Sequence, residues 1–178
     1  MRQYILFFIM AVLMAPKLCL AQAYDGTFDS KIFVGYLSTN GYSGFEIQQD
    51  DGLGDLISYG ARLQVLLNVR GASPLFTDEF ANTYPSVDLA IFLRAHFLYV
   101  ANLPETIDPY LGFELSLKSL GPHIGFKYNF SEVVGLYAQY FHSIAGSLSQ
   151  SLHGSGFGSS QNAFNSRPAL SIGITISY

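Results

Sequence analysis

Leu170-Ser171-Ile172-Gly173-Ile174-Thr175-Ile176-Ser177-Tyr178 alternates apolar and polar residues without a break. Leu170, Ile172, Ile174, Ile176 and Tyr178 fall on one side of an extended strand, with Ser171, Gly173, Thr175 and Ser177 on the other. A period of two marks a strand whose two faces meet unlike surroundings. The polar side carries only small, uncharged residues, whereas a solvated sheet face usually displays long charged ones. Gly, Ser and Thr suit a cramped barrel interior instead.

The same rhythm extends along the chain and predicts eight strands, at 27–38, 42–49, 56–69, 87–101, 109–118, 123–130, 133–145 and 170–178. Asn40-Gly41 is a tight-hairpin signal between the first two, while residues 50–55 (DDGLGD) and 102–108 read as polar turns. Two connections are long: Arg70 to Ser86, with two prolines and scattered aromatics, and Gly146 to Arg167, rich in Ser and Gly. In the fourth strand Val87, Leu89, Ile91, Leu93, Phe97 and Tyr99 oppose Asp88, Ala90, Arg94 and His96. No second domain and no repeat beyond this hairpin rhythm is visible.

Alternation alone does not say which face is inside, because a soluble lipocalin-like barrel alternates with its apolar face inward. Three features decide for apolar outward. Glycines recur on the polar face (Gly35, Gly44, Gly60, Gly112, Gly125, Gly135 and Gly173), where a solvated sheet would lose stability for no return. In a narrow lumen they are expected to leave room for larger Arg and Glu side chains opposite. The two long connections leave one end of the barrel, opposite the termini. Tyr59, Tyr99, Phe130 and Tyr178 recur at the other end, as an interfacial aromatic girdle would.

Composition agrees. Charged residues make up 12% of the chain, against roughly 25% in ordinary soluble domains. The N-terminus has the form of an export signal: Arg2, an apolar run from Ile5 to Ala15, and Ala21-Gln22-Ala23 as an A-x-A cleavage site. The run is shorter than the ~20 residues a spanning helix needs, and Pro16-Lys17-Leu18 before Cys19 is a poor lipobox. Cleavage after Ala23 predicts a single domain, residues 24–178, without cysteine and so without disulfide or thiolate metal site. Losing Arg2 and Lys17 leaves seven basic residues against 13 acidic ones, a balance that argues against nucleic acid as a partner. High apolarity without a spanning helix points to the closed barrel.

At its C-terminus the chain resembles outer-membrane β-barrel proteins. Ser171, Gly173, Ile176 and Tyr178 match their assembly signal, a polar residue, Gly, an apolar residue and a terminal aromatic at fixed spacing. The stretch from Gly125 to Tyr140 (GFKYNFSEVVGLYAQY) is similar to the penultimate hairpin of small OmpA/OmpX-type barrels. The resemblance implies an all-β, closed, antiparallel, eight-stranded transmembrane up-and-down barrel of the OmpA/OmpX/OmpW-like superfamily in a Gram-negative outer membrane. It implies outer-membrane lipid as surroundings, with periplasmic chaperones and the barrel assembly machinery as partners during biogenesis, and loops able to meet an extracellular partner.

Glu46, Arg62, Asp88, Arg94, Glu114, Lys118 and Lys127 face inward on this reading. They either pair and plug the lumen, since eight strands enclose only enough room for side chains, or line a thin ion path that opens when pairs exchange partners. The plug is the favoured reading, and with it a structural or surface-interaction role. A narrow channel or small-solute conduit is the alternative, followed by a lipid A-modifying enzyme. For the enzyme, His142 and Ser143 are adjacent and would point to opposite faces of a strand. His153 and Ser155 lie in the Ser/Gly loop with no nearby acid, and Gly156 stands where the deacylases carry Asn. The expectation is therefore no catalytic residue, no metal and no cofactor. His96 and His123 are expected inside the lumen, hydrogen-bonded.

Overall fold

The computed structural model describes residues 22–39, 41–67, 86–144 and 168–178. These form a short 3-10 turn, Gly26–Phe28, and eight strands: β1 (Ser30–Thr39), β2 (Tyr42–Gly52), β3 (Ile57–Leu66), β4 (Val87–His96), β5 (Ile107–Ser116), β6 (Leu120–Asn129), β7 (Val134–Phe141) and β8 (Ala169–Ser177). Each strand pairs antiparallel with the next. β8 returns to β1, from Lys31 opposite Ser177 to Thr39 opposite Ala169, so the sheet closes into a barrel with no free edge.

The polarity of the wall is the reverse of a soluble barrel's. Along β4, Asp88, Ala90, Phe92, Arg94 and His96 are buried, while Leu89, Ile91, Leu93 and Ala95 are exposed. Asp88 has no exposed surface; Ile91, three residues on, is 63% exposed. In β8, Ser171 and Thr175 point in, and Leu170, Ile172, Ile174 and Ile176 point out.

Glycines on the inner face make room, but for aromatic rings. A Cβ at Gly35 or Gly173, which pair across β1 and β8, would collide with Tyr137, and one at Gly125 with the ring of Tyr110. At these positions the filler is a flat ring, whereas a Cβ at Gly44 would meet the Val65 carbonyl and one at Gly135 the side chains of Asn129 and Thr175. At the first hairpin Thr39 pairs with Tyr42, and Gly41 has φ +80°, as a two-residue turn requires. Asn40 lies outside the described residues.

Several strand boundaries differ from the sequence expectation. β2 runs on through Asp50 and Asp51 to Gly52, whose N–H donates to the Asp29 carbonyl at 2.7 Å. β4 stops at His96, and Phe97 to Leu103 turns back on itself, with Ala101 N–H on the Phe97 carbonyl, Leu103 N–H on the Leu98 carbonyl and Asn102 at φ 50°. Tyr99 is thus in a turn and not in a strand, though it stays exposed with Tyr59, Phe130 and Tyr178 at the end of the barrel that holds Ser30 and Ser177. β5 begins two residues earlier than expected, which carries Asp108 into the barrel. The long connections lie almost wholly outside the described residues, as do His153, Ser155 and the expected signal segment to Ala21.

Candidate functional site: the ion-paired lumen

Inward positions on all eight strands converge on the barrel axis. Among the described residues six carboxylates (Asp29, Glu46, Asp50, Asp88, Asp108, Glu114) and five basic side chains (Lys31, Arg62, Arg94, Lys118, Lys127) are buried there, so the interior charge is nearly balanced. An unpaired charge in such a place would be costly, and removing one partner of a buried pair costs about 3–5 kcal/mol.

Arg94 holds the middle. Its guanidinium reaches Asp50 at 2.8 Å, Gln139 at 2.8 Å and the Nε2 of His123 at 3.1 Å, and also donates to Gln48. A guanidinium only donates, so His123 Nε2 accepts and the ring proton sits on Nδ1, 3.7 Å from Glu114. Phe92 lies 3.9 Å from the guanidinium carbon, Tyr110 4.7 Å and Phe33 5.0 Å, closing an aromatic box around the cation.

Toward the far end Arg62 bridges Glu114 and Glu46, the latter at 3.7 Å. Glu46 also accepts from Tyr137 at 2.7 Å and Gln48 at 2.6 Å. Asp88 lies opposite Gln64 across β3 and β4, where the charges of Arg62 and Lys118 act on it. Beyond them Leu37, Leu66, Phe141 and Ala169 form a small apolar cluster at that mouth.

Toward the terminal end Lys127 sits 3.0 Å from Asp108 and 4.0 Å from Asp29, which also pairs with Lys31. Asp108 meets His96 Nδ1 at 2.6 Å, and His96 Nε2 meets Ser58 Oγ at 2.8 Å. This is the order of an orienting acid, a base and a serine nucleophile. Ser58 is only 1% exposed, however, and the Tyr24 ring stacks on His96 at 3.7 Å and 7°. The three residues tie β3, β4 and β5 together. Burial, reinforced by the carboxylates of Asp29 and Asp50, pushes the Tyr24 hydroxyl well above a tyrosine's usual range. It therefore stays a donor, to the Gly54 and Ile57 carbonyls at 2.5 and 2.7 Å.

All seven charged residues anticipated for the lumen are buried. The structure brings Glu46, Arg62 and Glu114 together, but Arg94 and Lys127 pair with acids outside that set. Residue order alone places Asp50 and Asp108 in polar turns and gives Asp29, Lys31 and Tyr24 no role in the lumen. Parity is the signal that finds them: Asp50 continues the inward series of Glu46 and Gln48, and Asp108 that of Gly112 and Glu114. His96 and His123 are inside and hydrogen-bonded, whereas His142 is exposed beside Tyr140 on the outer wall.

Among the described residues no three His, Cys, Asp or Glu side chains group as metal ligands would. Two concavities, of about 610 and 410 Å³, open on the outer wall, where Ala61 and Ala138 leave gaps between larger apolar side chains. The sequence profile of DUF6646, described as a family of unknown function, matches residues 15–174, and the chain belongs to that family. No curated protein matches it.

Proposed function

We propose that this DUF6646 member is an integral outer-membrane barrel protein of the OmpA/OmpX/OmpW-like kind, exported by its N-terminal segment. Its role on this reading is structural or interactive, with the lumen plugged. The observation that carries the proposal is the inverted wall: charged groups paired inside, and an almost unbroken apolar surface outside. In water that surface would far exceed the few hundred Å² of contiguous apolar patch that monomeric proteins expose. In lipid it is the required solvent-facing side, and closure leaves no strand edge unpaired.

Aromatics support the same reading. Tyr59, Tyr99, Phe130 and Tyr178 gather at the terminal end, and Tyr36, Phe45 and Tyr140 stand exposed toward the other. Both long connections, after β3 and β7, leave that other end. With the terminal end in the periplasm, they face outside and become the surface offered to a partner.

The test is heat-modifiable gel migration of the washed membrane fraction. A folded band that shifts on boiling is expected; coincident bands from a soluble fraction would end the proposal. Purified protein in planar bilayers should be electrically silent, since the charges are already spent on one another. Stepwise currents would favour the narrow-channel reading, and a changed lipid A mass on expression would favour the enzyme.

A further inference from the structure

Residues 22 to 24 are seated in the barrel mouth, although cleavage after Ala23 would discard the first two of them. Ala23 has no exposed surface, and its N–H donates to the Glu105 carbonyl at 2.7 Å. The Gln22 carbonyl accepts from Asn129 Nδ2 at 2.8 Å, and its side-chain amide donates to the Tyr99 hydroxyl at 2.7 Å. That hydroxyl in turn donates to the Tyr24 carbonyl at 3.3 Å. The hydrogen bonds thus come from two turns at the terminal end and from the end of β6, and they converge on a segment only three residues long.

A cut between Ala23 and Tyr24 would leave the Glu105 carbonyl and the Asn129 amide without these partners, and would take from the Tyr99 hydroxyl the Gln22 amide that donates to it. It would also turn the uncharged Tyr24 amide into an ammonium group in a mouth that already holds the buried cations Lys31 and Lys127, the latter 5.1 Å from the Tyr24 ring. Two residues earlier the sequence offers another small-x-small pattern, Cys19-Leu20-Ala21. Hydrolysis of the Ala21–Gln22 bond adds one water, leaving a carboxylate on Ala21 and an ammonium on Gln22, which is only partly buried and can stay hydrated.

We infer that an envelope peptidase cuts this chain between Ala21 and Gln22, and that Gln22, Ala23 and Tyr24 then serve as the seal of the terminal mouth. The inference rests on the export reading above. Its test is the intact mass and N-terminal peptide mass of the protein purified from the membrane of cells expressing the full chain. A mature chain starting at Gln22 is expected, heavier than one starting at Tyr24 by one Gln and one Ala residue. A start at Tyr24, or at any later residue, would overturn the assignment while leaving export intact. A chain still carrying Met1 to Ala21 would instead count against export itself.

Discussion

On β4 the two walls of the barrel stand one residue apart. Leu93 is 57% exposed, an apolar side chain with no directional partner to satisfy. Arg94, the next residue, is 1% exposed and engages Asp50, Gln48, Gln139 and His123 inside an aromatic box. The inner wall is held by directional bonds with named partners, most of them on other strands, whereas on the proposed reading the outer wall is held by lipid. Identity therefore matters inside and polarity matters outside.

The sharpest way to break this contrast is Arg94→Met. It keeps bulk but strands Asp50, and a loss of about 3–5 kcal/mol is expected, read as a lowered urea midpoint for the barrel folded in vesicles. Adding Asp50→Asn should restore part of the loss, because neighbours in one network do not act additively. An unchanged midpoint for Arg94→Met would show that the interior bonds do not hold the barrel.

The outer wall is tested at Ile91. Ile91→Leu should be nearly silent, while Ile91→Arg should cost about 2–4 kcal/mol if the residue faces the bilayer midplane. An arginine tolerated there, with the protein recovered in the soluble fraction, would reverse the assignment of that wall.

The smallest effect belongs to the seal. Tyr24→Phe keeps the stack on His96 but removes the donor to two carbonyls, a loss of about 1 kcal/mol. The folded protein holds the Tyr24 proton above the usual tyrosine range, whereas the unfolded chain releases it near pH 10. The hydroxyl's contribution is thus complete below that pH and fades as pH rises through it. The difference in midpoint between wild type and Tyr24→Phe should shrink in alkaline buffer; a gap that widens would show the hydroxyl is not buried as a donor.

Much of this architecture was legible in residue order. The eight strands and the inward-facing set from Glu46 to Lys127 follow from parity and turn chemistry. Two boundaries differ because acids meet a turn, at β2 and β5, while β4 ends early, at His96, with no acid beside it. Asp50-Asp51 and Asp108 look like loop residues because in soluble domains a carboxylate on a strand's buried face is rare, but in a barrel with a polar interior that face is where a carboxylate belongs. The glycines were legible as close-approach positions, though not their occupants: the ring of Tyr110 reaches Gly125 and that of Tyr137 reaches Gly35 and Gly173.

Alternation is a local property of the pleated backbone, so the sequence by itself determined the strands, their faces and the low charge of one wall. Partnership across the lumen is not local. Arg94 meets Asp50, and Tyr24 covers His96, only because closure and strand tilt set which inward side chains share a level of the axis. That stagger belongs to the whole ring of strands, and no single segment encodes it.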